Sequence, residues 1–126
     1  MLCNLYLRSS KNDGLEATAA RLFEILDIRP LVMRQSENYP GGKYMPGRVL
    51  GLSVKLAIAD DSEFPAYQYW MNFTPLTDPA RVDRHGLDGL GELLGKELST
   101  HGFDVALALE FGKIGGKKLL FQSRKP

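Results

Sequence analysis

One cysteine, Cys3, stands in the 126 residues, so no internal disulfide can form and nothing in the cysteine count calls for an oxidising compartment. Histidine is almost as scarce, with only His85 and His101. One thiol and two imidazoles do not make an ordinary zinc site without carboxylates brought in from elsewhere, and no metal is expected. A nucleophile–base pair of Cys3 and His101 is the less economical reading. Cys3 lies among apolar residues of an alternating segment, where a free thiol behaves as a small hydrophobe, and His101 precedes Gly102 at a helix end, where an imidazolium complements the macrodipole. No segment approaches the ~20 apolar residues that span a bilayer, and Met1–Ser10 has no basic start followed by an apolar leader. A cytoplasmic protein that makes no membrane contact is the expectation. Also missing are Gly-x-x-x-x-Gly-Lys-Ser/Thr and a Gly-x-Gly-x-x-Gly that opens a helix after a strand; the glycines from Gly86 to Gly95 fall inside a helical pattern. Asp60, Asp61 and Glu63 lack the alternating ligands and distal bidentate carboxylate of a calcium loop. With no catalytic set, no metal and no cofactor signature, the chain reads as a binding protein and not an enzyme.

What is present is an ordinary globular composition, 44% hydrophobic and 25% charged, in a length that suits a single domain over 1–126. The formal net charge is +1, but it is unevenly spread. Residues 1–59 carry eight basic and five acidic side chains, residues 60–110 three basic and ten acidic, and residues 111–126 five basic and none acidic. An acidic middle between basic ends makes a dipolar surface that would steer a charged partner, unless folding intermixes the segments. The basic tail, Lys113, Lys117, Lys118, Arg124 and Lys125, comes with no nucleic-acid-binding signature, and direct nucleic-acid binding is not expected.

Hydrophobic periodicity gives the elements. Residues 2–8 alternate, with Cys3, Leu5 and Leu7 opposite Leu2, Asn4 and Tyr6. Asn12-Asp13-Gly14 offers a helix cap, and Leu15, Thr18, Ala19, Leu22, Phe23 and Leu26 follow at helical spacing, closed by Arg29-Pro30. Leu31-Val32-Met33 predicts a short strand, and the Pro- and Gly-rich run 36–47 a loop. Leu52, Val54, Leu56 and Ile58 alternate with small or polar residues, then Tyr67, Tyr69, Met71 and Phe73 with Gln68, Trp70 and Asn72. These two segments predict an antiparallel hairpin with an acidic connection. After a polar connection over 75–84, Leu87, Leu90, Leu94 and Leu98 mark a second helix, whose glycines cost helix propensity but permit close packing. Val105, Leu107, Leu109 and Phe111 predict a strand, Gly112–Gly116 a turn, and Leu119-Leu120-Phe121 a returning strand. The order β-α-β-β-β-α-β-β argues for an α+β domain, a mostly antiparallel sheet with two helices on one face.

Polar-tipped aromatics and carboxylates concentrate between residues 38 and 70. Such aromatics bury much area while freezing few torsions, which suits binding surfaces. Tyr39, Tyr44, Asp60, Asp61, Glu63 and Trp70 are the candidate partner-binding residues. Strand periodicity places Trp70 opposite the stripe of Tyr67, Tyr69, Met71 and Phe73, which makes it either an exposed aromatic or one covered by a helix. The structural alternatives are a solvated hairpin turn for the carboxylates and a core role for the tyrosines.

The runs Ser36-Glu37-Asn38-Tyr39-Pro40-Gly41-Gly42-Lys43-Tyr44, Gly51-Leu52-Ser53-Val54 through Ala59-Asp60-Asp61, and Tyr67-Gln68-Tyr69-Trp70, continued by His101-Gly102-Phe103 and Phe111-Gly112-Lys113-Ile114-Gly115-Gly116, resemble small bacterial immunity proteins of contact-dependent growth inhibition and related polymorphic toxin systems. The likeness spans about residues 35–120 and rests on turn glycines and core alternation, so it carries over no inhibitory residue. It implies a cytoplasmic protein that binds and neutralises the C-terminal domain of a cognate toxin, often a nuclease, by occluding it; separately, a monomer or weak dimer is expected. Two other readings stay open: a small-ligand-binding domain or enzyme that uses the aromatic region as a pocket, and a homodimer joined through an edge strand.

Overall fold

A computed structural model describes residues 3–11, 13–76, 84–109 and 118–123. Its elements are β1 (Cys3–Ser9), α1 (Leu15–Leu26), β2 (Arg34–Gln35), β3 (Lys43–Val49), β4 (Leu52–Ile58), β5 (Tyr69–Pro75), α2 (Arg84–Thr100), β6 (Phe103–Ala108) and β7 (Lys118–Phe121), with a 3-10 turn at Pro40–Gly42. The strands form one seven-stranded sheet in the order β2-β3-β4-β5-β1-β6-β7, antiparallel at every pairing. The fold is α+β, as the alternation of periods two and 3.6 requires. The expected hairpin is β4–β5, with Leu56 opposite Met71 and Ile58 opposite Tyr69. The returning strand is β7, which pairs Leu119 with Leu107 and Phe121 with Val105.

Period two sorts the sheet into faces. Cys3, Leu5 and Leu7 of β1, Val54 and Leu56 of β4, Tyr69, Met71 and Phe73 of β5, and Phe103, Val105 and Leu107 of β6 point one way and are buried. Leu15, Ala19, Leu22 and Phe23 of α1 and Leu98 of α2 close the same core, so both helices lie on one face. Burial of these side chains, at ~1.5–3 kcal/mol each, is the main drive for folding. Among the described residues no helix covers the other face.

The structure differs from the sequence reading in four places. The 36–47 region is a loop only to Gly42, and Lys43–Val49 is a full strand, so the order has one strand more than expected. Its Pro46 and Gly47 look like loop residues but have local reasons. β2 reaches β3 only at Lys43 and Tyr44, so Pro46 lies where that neighbour demands no N–H. At Gly47 a Cβ would stand 2.4 Å from Ile28 Cγ2 and 3.1 Å from the Phe23 ring, so glycine lets the end of α1 approach the sheet. Second, Leu31-Val32-Met33 is not a strand; β2 is Arg34–Gln35. Arg29 bridges Arg48 and Arg34 pairs with Tyr44, so one extra residue on the 29–34 side pushes the apolar run out of the ladder. All three side chains are exposed. Third, β5 begins at Tyr69, so Tyr67 leaves the expected core stripe and packs with Phe64 on the opposite face. Fourth, α1 starts at Gly14 with no side-chain cap, and Asp13 instead accepts from the Thr18 hydroxyl. It ends before Pro30, at Asp27 in the left-handed conformation, with the Ile28 N–H on the Phe23 carbonyl. The connection at 77–83, the turn at 110–117 and the tail residues Arg124 and Lys125 lie outside the described residues.

The glycines of α2 test the claim that close packing compensates poor helix propensity. A Cβ at Gly91 would stand 2.7 Å from Leu107 Cδ1 and 3.1 Å from Cys3 Sγ, whereas one at Gly89 would meet nothing within 4 Å. Gly89→Ala is therefore expected to raise stability by up to ~1 kcal/mol through propensity alone. Gly91→Ala is expected to lower it by ~1–3 kcal/mol through overpacking. Urea midpoints at unchanged m-value check both signs.

Candidate functional site

The helix-free face is built from the alternate residues of the central strands. β1 supplies Asn4 and Tyr6, β5 supplies Trp70, Asn72 and Thr74, and Ala57 and Ala106 stand beside them. Tyr6 is the register partner of both Trp70 and Ala106, and Trp70 that of Ala57, so large rings alternate across the sheet with methyl groups that leave them room. The loop between β4 and β5 then folds back over this face. Phe64 stacks on the Tyr6 ring at 3.8 Å and 6°, and Tyr67 meets Phe64 edge-on at 6.3 Å. These rings form a second, smaller apolar cluster against which Trp70 packs.

Polar contacts fix the rings. The Trp70 indole Nε1–H donates to Asn4 Oδ1 at 2.9 Å, and Asn72 Nδ2 donates to the same oxygen at 3.0 Å. Thr74 in turn donates to Asn72 Oδ1. Asn4 is fully buried, and its Nδ2 has no hydrogen-bond partner among the described residues. Two donors converge on Oδ1, which sets the orientation of the amide and leaves the nitrogen as the orphan. The Tyr6 hydroxyl donates to Asp61 Oδ2 at 2.7 Å. Burial, then the bond to Asp61 and its charge, push the Tyr6 phenol well above the ordinary tyrosine range.

Beside these rings lies an open groove of about 360 Å³, lined by Tyr6, Tyr39, Ile58, Asp60, Asp61 and Trp70 together with Asn38, Pro40 and Ala59. One wall comes from the loop before β3. The Ser36 N–H on the Gly42 carbonyl and the Gly42 N–H on the Tyr39 carbonyl close that loop, and Gly41 and Gly42 take positive φ of 74° and 72°. The loop folds tightly against β4, since a Cβ at Gly41 would stand 3.1 Å from Ile58 Cδ1. The Tyr39 ring is backed by Tyr44, stacked at 4.5 Å and 22°.

Four of the six candidate residues, Tyr39, Asp60, Asp61 and Trp70, thus line one groove, and Tyr44 supports it from behind Tyr39. Glu63 is not brought in: its backbone N–H donates to Asp61 Oδ1, and its carbonyl accepts from Lys118 Nζ. The two aspartates also part company. Asp61 is engaged by Tyr6 and by the turn, whereas no hydrogen bond or ion pair among the described residues occupies the exposed carboxylate of Asp60. Sequence reasoning missed Tyr6 and Ile58. The signal for Tyr6 was its place opposite Cys3, Leu5 and Leu7, the same argument that singled out Trp70.

Cations surround the far side of this loop. Lys118 Nζ sits 4.6 Å from the Phe64 ring centre, and Arg8 lies 5.6 Å from that of Tyr67 while pairing with Asp104 at 2.7 Å. The Ser123 N–H, then Arg8, hold the Asp104 carboxyl below its usual range. Burial raises the Tyr67 phenol despite the neighbouring Arg8. A separate cleft of about 300 Å³ on the other side holds Lys11, Arg21, Glu24 and His101, where Arg21 packs over Phe103 at 5.0 Å and bonds to Ser9 Oγ. Among the described residues no group of three or more His, Cys, Asp or Glu stands close enough to share a metal, and no helix is long and apolar enough to cross a membrane. No protein-family model matches the chain, and no curated protein or solved structure matches it.

The Tyr6–Asp61 contact gives a pH test. Tyr6 keeps its proton in the folded chain and releases it near pH ~10 once unfolded, so its contribution is present below that value and declines as pH rises above it. Tyrosinate absorbance is expected to be the same in the wild type and in Tyr6→Phe up to pH ~11, because Tyr6 does not ionise there. A smaller tyrosinate signal in Tyr6→Phe at that pH, with the fold intact, would show that the hydroxyl is not so held.

Proposed function

We propose that this chain is a cytoplasmic immunity protein, a binding protein and not an enzyme, that neutralises the C-terminal domain of a cognate toxin by covering it with the helix-free face of the sheet. The observation that carries the reading is the groove lined by Tyr39 and Trp70: a preformed site with aromatic walls and a carboxylate, Asp60, that no described residue pairs with, on the sheet face that no described helix covers. Aromatic anchors whose rings are already fixed lose little freedom on binding, and a rim charge speeds encounter with an oppositely charged surface. A nuclease domain, which must be basic to hold its phosphates, has that complementary surface. The resemblance in residues 35–120 points to the same role, and the groove contains the residues that carry part of it. Inhibition here is steric, with the sheet face excluding substrate from the toxin.

A second reading has one specific observation in its favour. About 360 Å³ of groove with aromatic walls is within the range that small-molecule sites occupy, so a small-ligand-binding domain using residues 38–70 is the alternative.

Co-expression separates the two. The toxin domain to test is the C-terminal segment of any large secreted protein found to be encoded beside this chain. Cells producing that domain are expected to stop growing alone and to grow when this chain is made with it, and the purified pair is expected to co-elute. The association rate should fall as salt rises. Continued growth arrest with the chain in excess, or no complex between the purified proteins, would reject the immunity reading.

A further inference from the structure

We infer that the groove takes one cationic side chain, an arginine or lysine of the partner, held against the Tyr39 ring with Asp60 as its counter-ion. The inference deepens the binding role proposed above and rests on that reading only for the identity of the partner.

The local chemistry supplies the argument. A cation is attracted to the face of an aromatic ring, most strongly to tryptophan and tyrosine, and more so where water is displaced. The groove offers both ring types, and among the described residues no lysine or arginine lines it. Asp60 stands at the rim with its carboxylate exposed and unoccupied. Asp61, one residue on, is committed to Tyr6 and to the turn, so it adds negative field without being free to reorient. The walls are held before any ligand arrives: Tyr39 by its stack on Tyr44, and Trp70 by its bond to Asn4.

The same loop already shows how it treats cations. On its far side, the Lys118 ammonium lies over the Phe64 ring and donates to the Glu63 carbonyl, and Arg8 lies by the Tyr67 ring. Ring plus oxygen acceptor is thus a combination this loop uses to hold a lysine internally. On the groove side the same combination, Tyr39 with Asp60, is present and no cation of the described chain fills it. The length and charge of an arginine or lysine suit an open groove walled by aromatic rings; a carboxylate would face Asp60 and Asp61.

The test uses the intact protein and three capped tripeptides, acetyl-Gly-Arg-Gly-amide, acetyl-Gly-Lys-Gly-amide and the neutral isostere acetyl-Gly-citrulline-Gly-amide. Trp70 is the only tryptophan, so its indole N–H gives a single resonance to follow by NMR. Saturable shifts with the arginine and lysine peptides are expected, with the citrulline peptide at least ~5-fold weaker. Asp60→Asn should weaken the arginine peptide by ~3–10-fold, and Tyr39→Ala by a similar factor, at unchanged urea midpoint for the exposed Asp60 site. Equal binding of citrulline and arginine, an unchanged affinity in Asp60→Asn, or no indole shift at ~20 mM peptide would overturn the cation site. The two readings fail separately. Cation binding with no toxin neutralisation rejects the immunity role and keeps the site, as a receptor for a small organic cation would also do. Full neutralisation by Asp60→Asn and Tyr39→Ala rejects the site and keeps the role.

Discussion

A sheet presents two faces, and in this chain both helices pack on one of them. The constraint follows from period two: Cys3, Leu5 and Leu7 commit β1 to the helices, so Asn4 and Tyr6 must make their own arrangement on the other side. Everything distinctive about the candidate site follows from how that second face is dressed. No described helix covers it, and it is dressed with a loop, a set of rings and a short polar network. The ten residues from Ala59 to Gln68 fold back so that Phe64 lies on Tyr6, and Asp61 caps the Tyr6 hydroxyl that would otherwise be a buried polar atom.

This dressing both supports the face and shapes the groove beside it. The network of Asn4, Asn72 and Thr74, with Asn4 Oδ1 as the shared acceptor, keeps the Trp70 indole in one orientation. With Asp61 engaged by Tyr6, Asp60 is the groove carboxylate that no described residue pairs with. The resulting groove is rigid on one wall, through strands β4 and β5, and closed on the other by a loop whose two positive-φ glycines let it turn within a few residues. Preformed walls reduce the ordering cost of association, which is where a small surface gains affinity.

Much of the fold could be read from the chain because its apolar stripes are clean. The Leu5/Leu7, Leu56/Ile58 and Val105/Leu107 alternations and the Leu15–Leu26 helix place four elements, and the Tyr69/Met71/Phe73 stripe gives the side of the sheet on which Trp70 had to lie. What misled was punctuation. Pro46 and Gly47 signal a loop, yet a partly unpaired β3 position and the close approach of Ile28 allow them in a strand. Leu31-Val32-Met33 has strand composition, but register, set by pairings on either side of it, excludes it from the ladder. The site was legible to the extent that its residues are aromatic or acidic and close in sequence. That Tyr6 belongs to it depends on β1 lying next to β5, a pairing across more than sixty residues that no local pattern encodes. Glu63 shows the reverse error, since it is near its neighbours in sequence yet does not line the groove.

The central claim is that the helix-free face carries a preformed, negatively charged aromatic groove. Quenching of the single tryptophan measures this directly in the protein alone. At low ionic strength, caesium should quench Trp70 emission more effectively than iodide, because Asp60 and Asp61 concentrate cations and repel anions beside the ring. The difference should shrink in Asp60→Asn and largely vanish at ~1 M inert salt, where screening extends over only ~3 Å. Quenching by iodide equal to or greater than that by caesium at low salt would contradict the account.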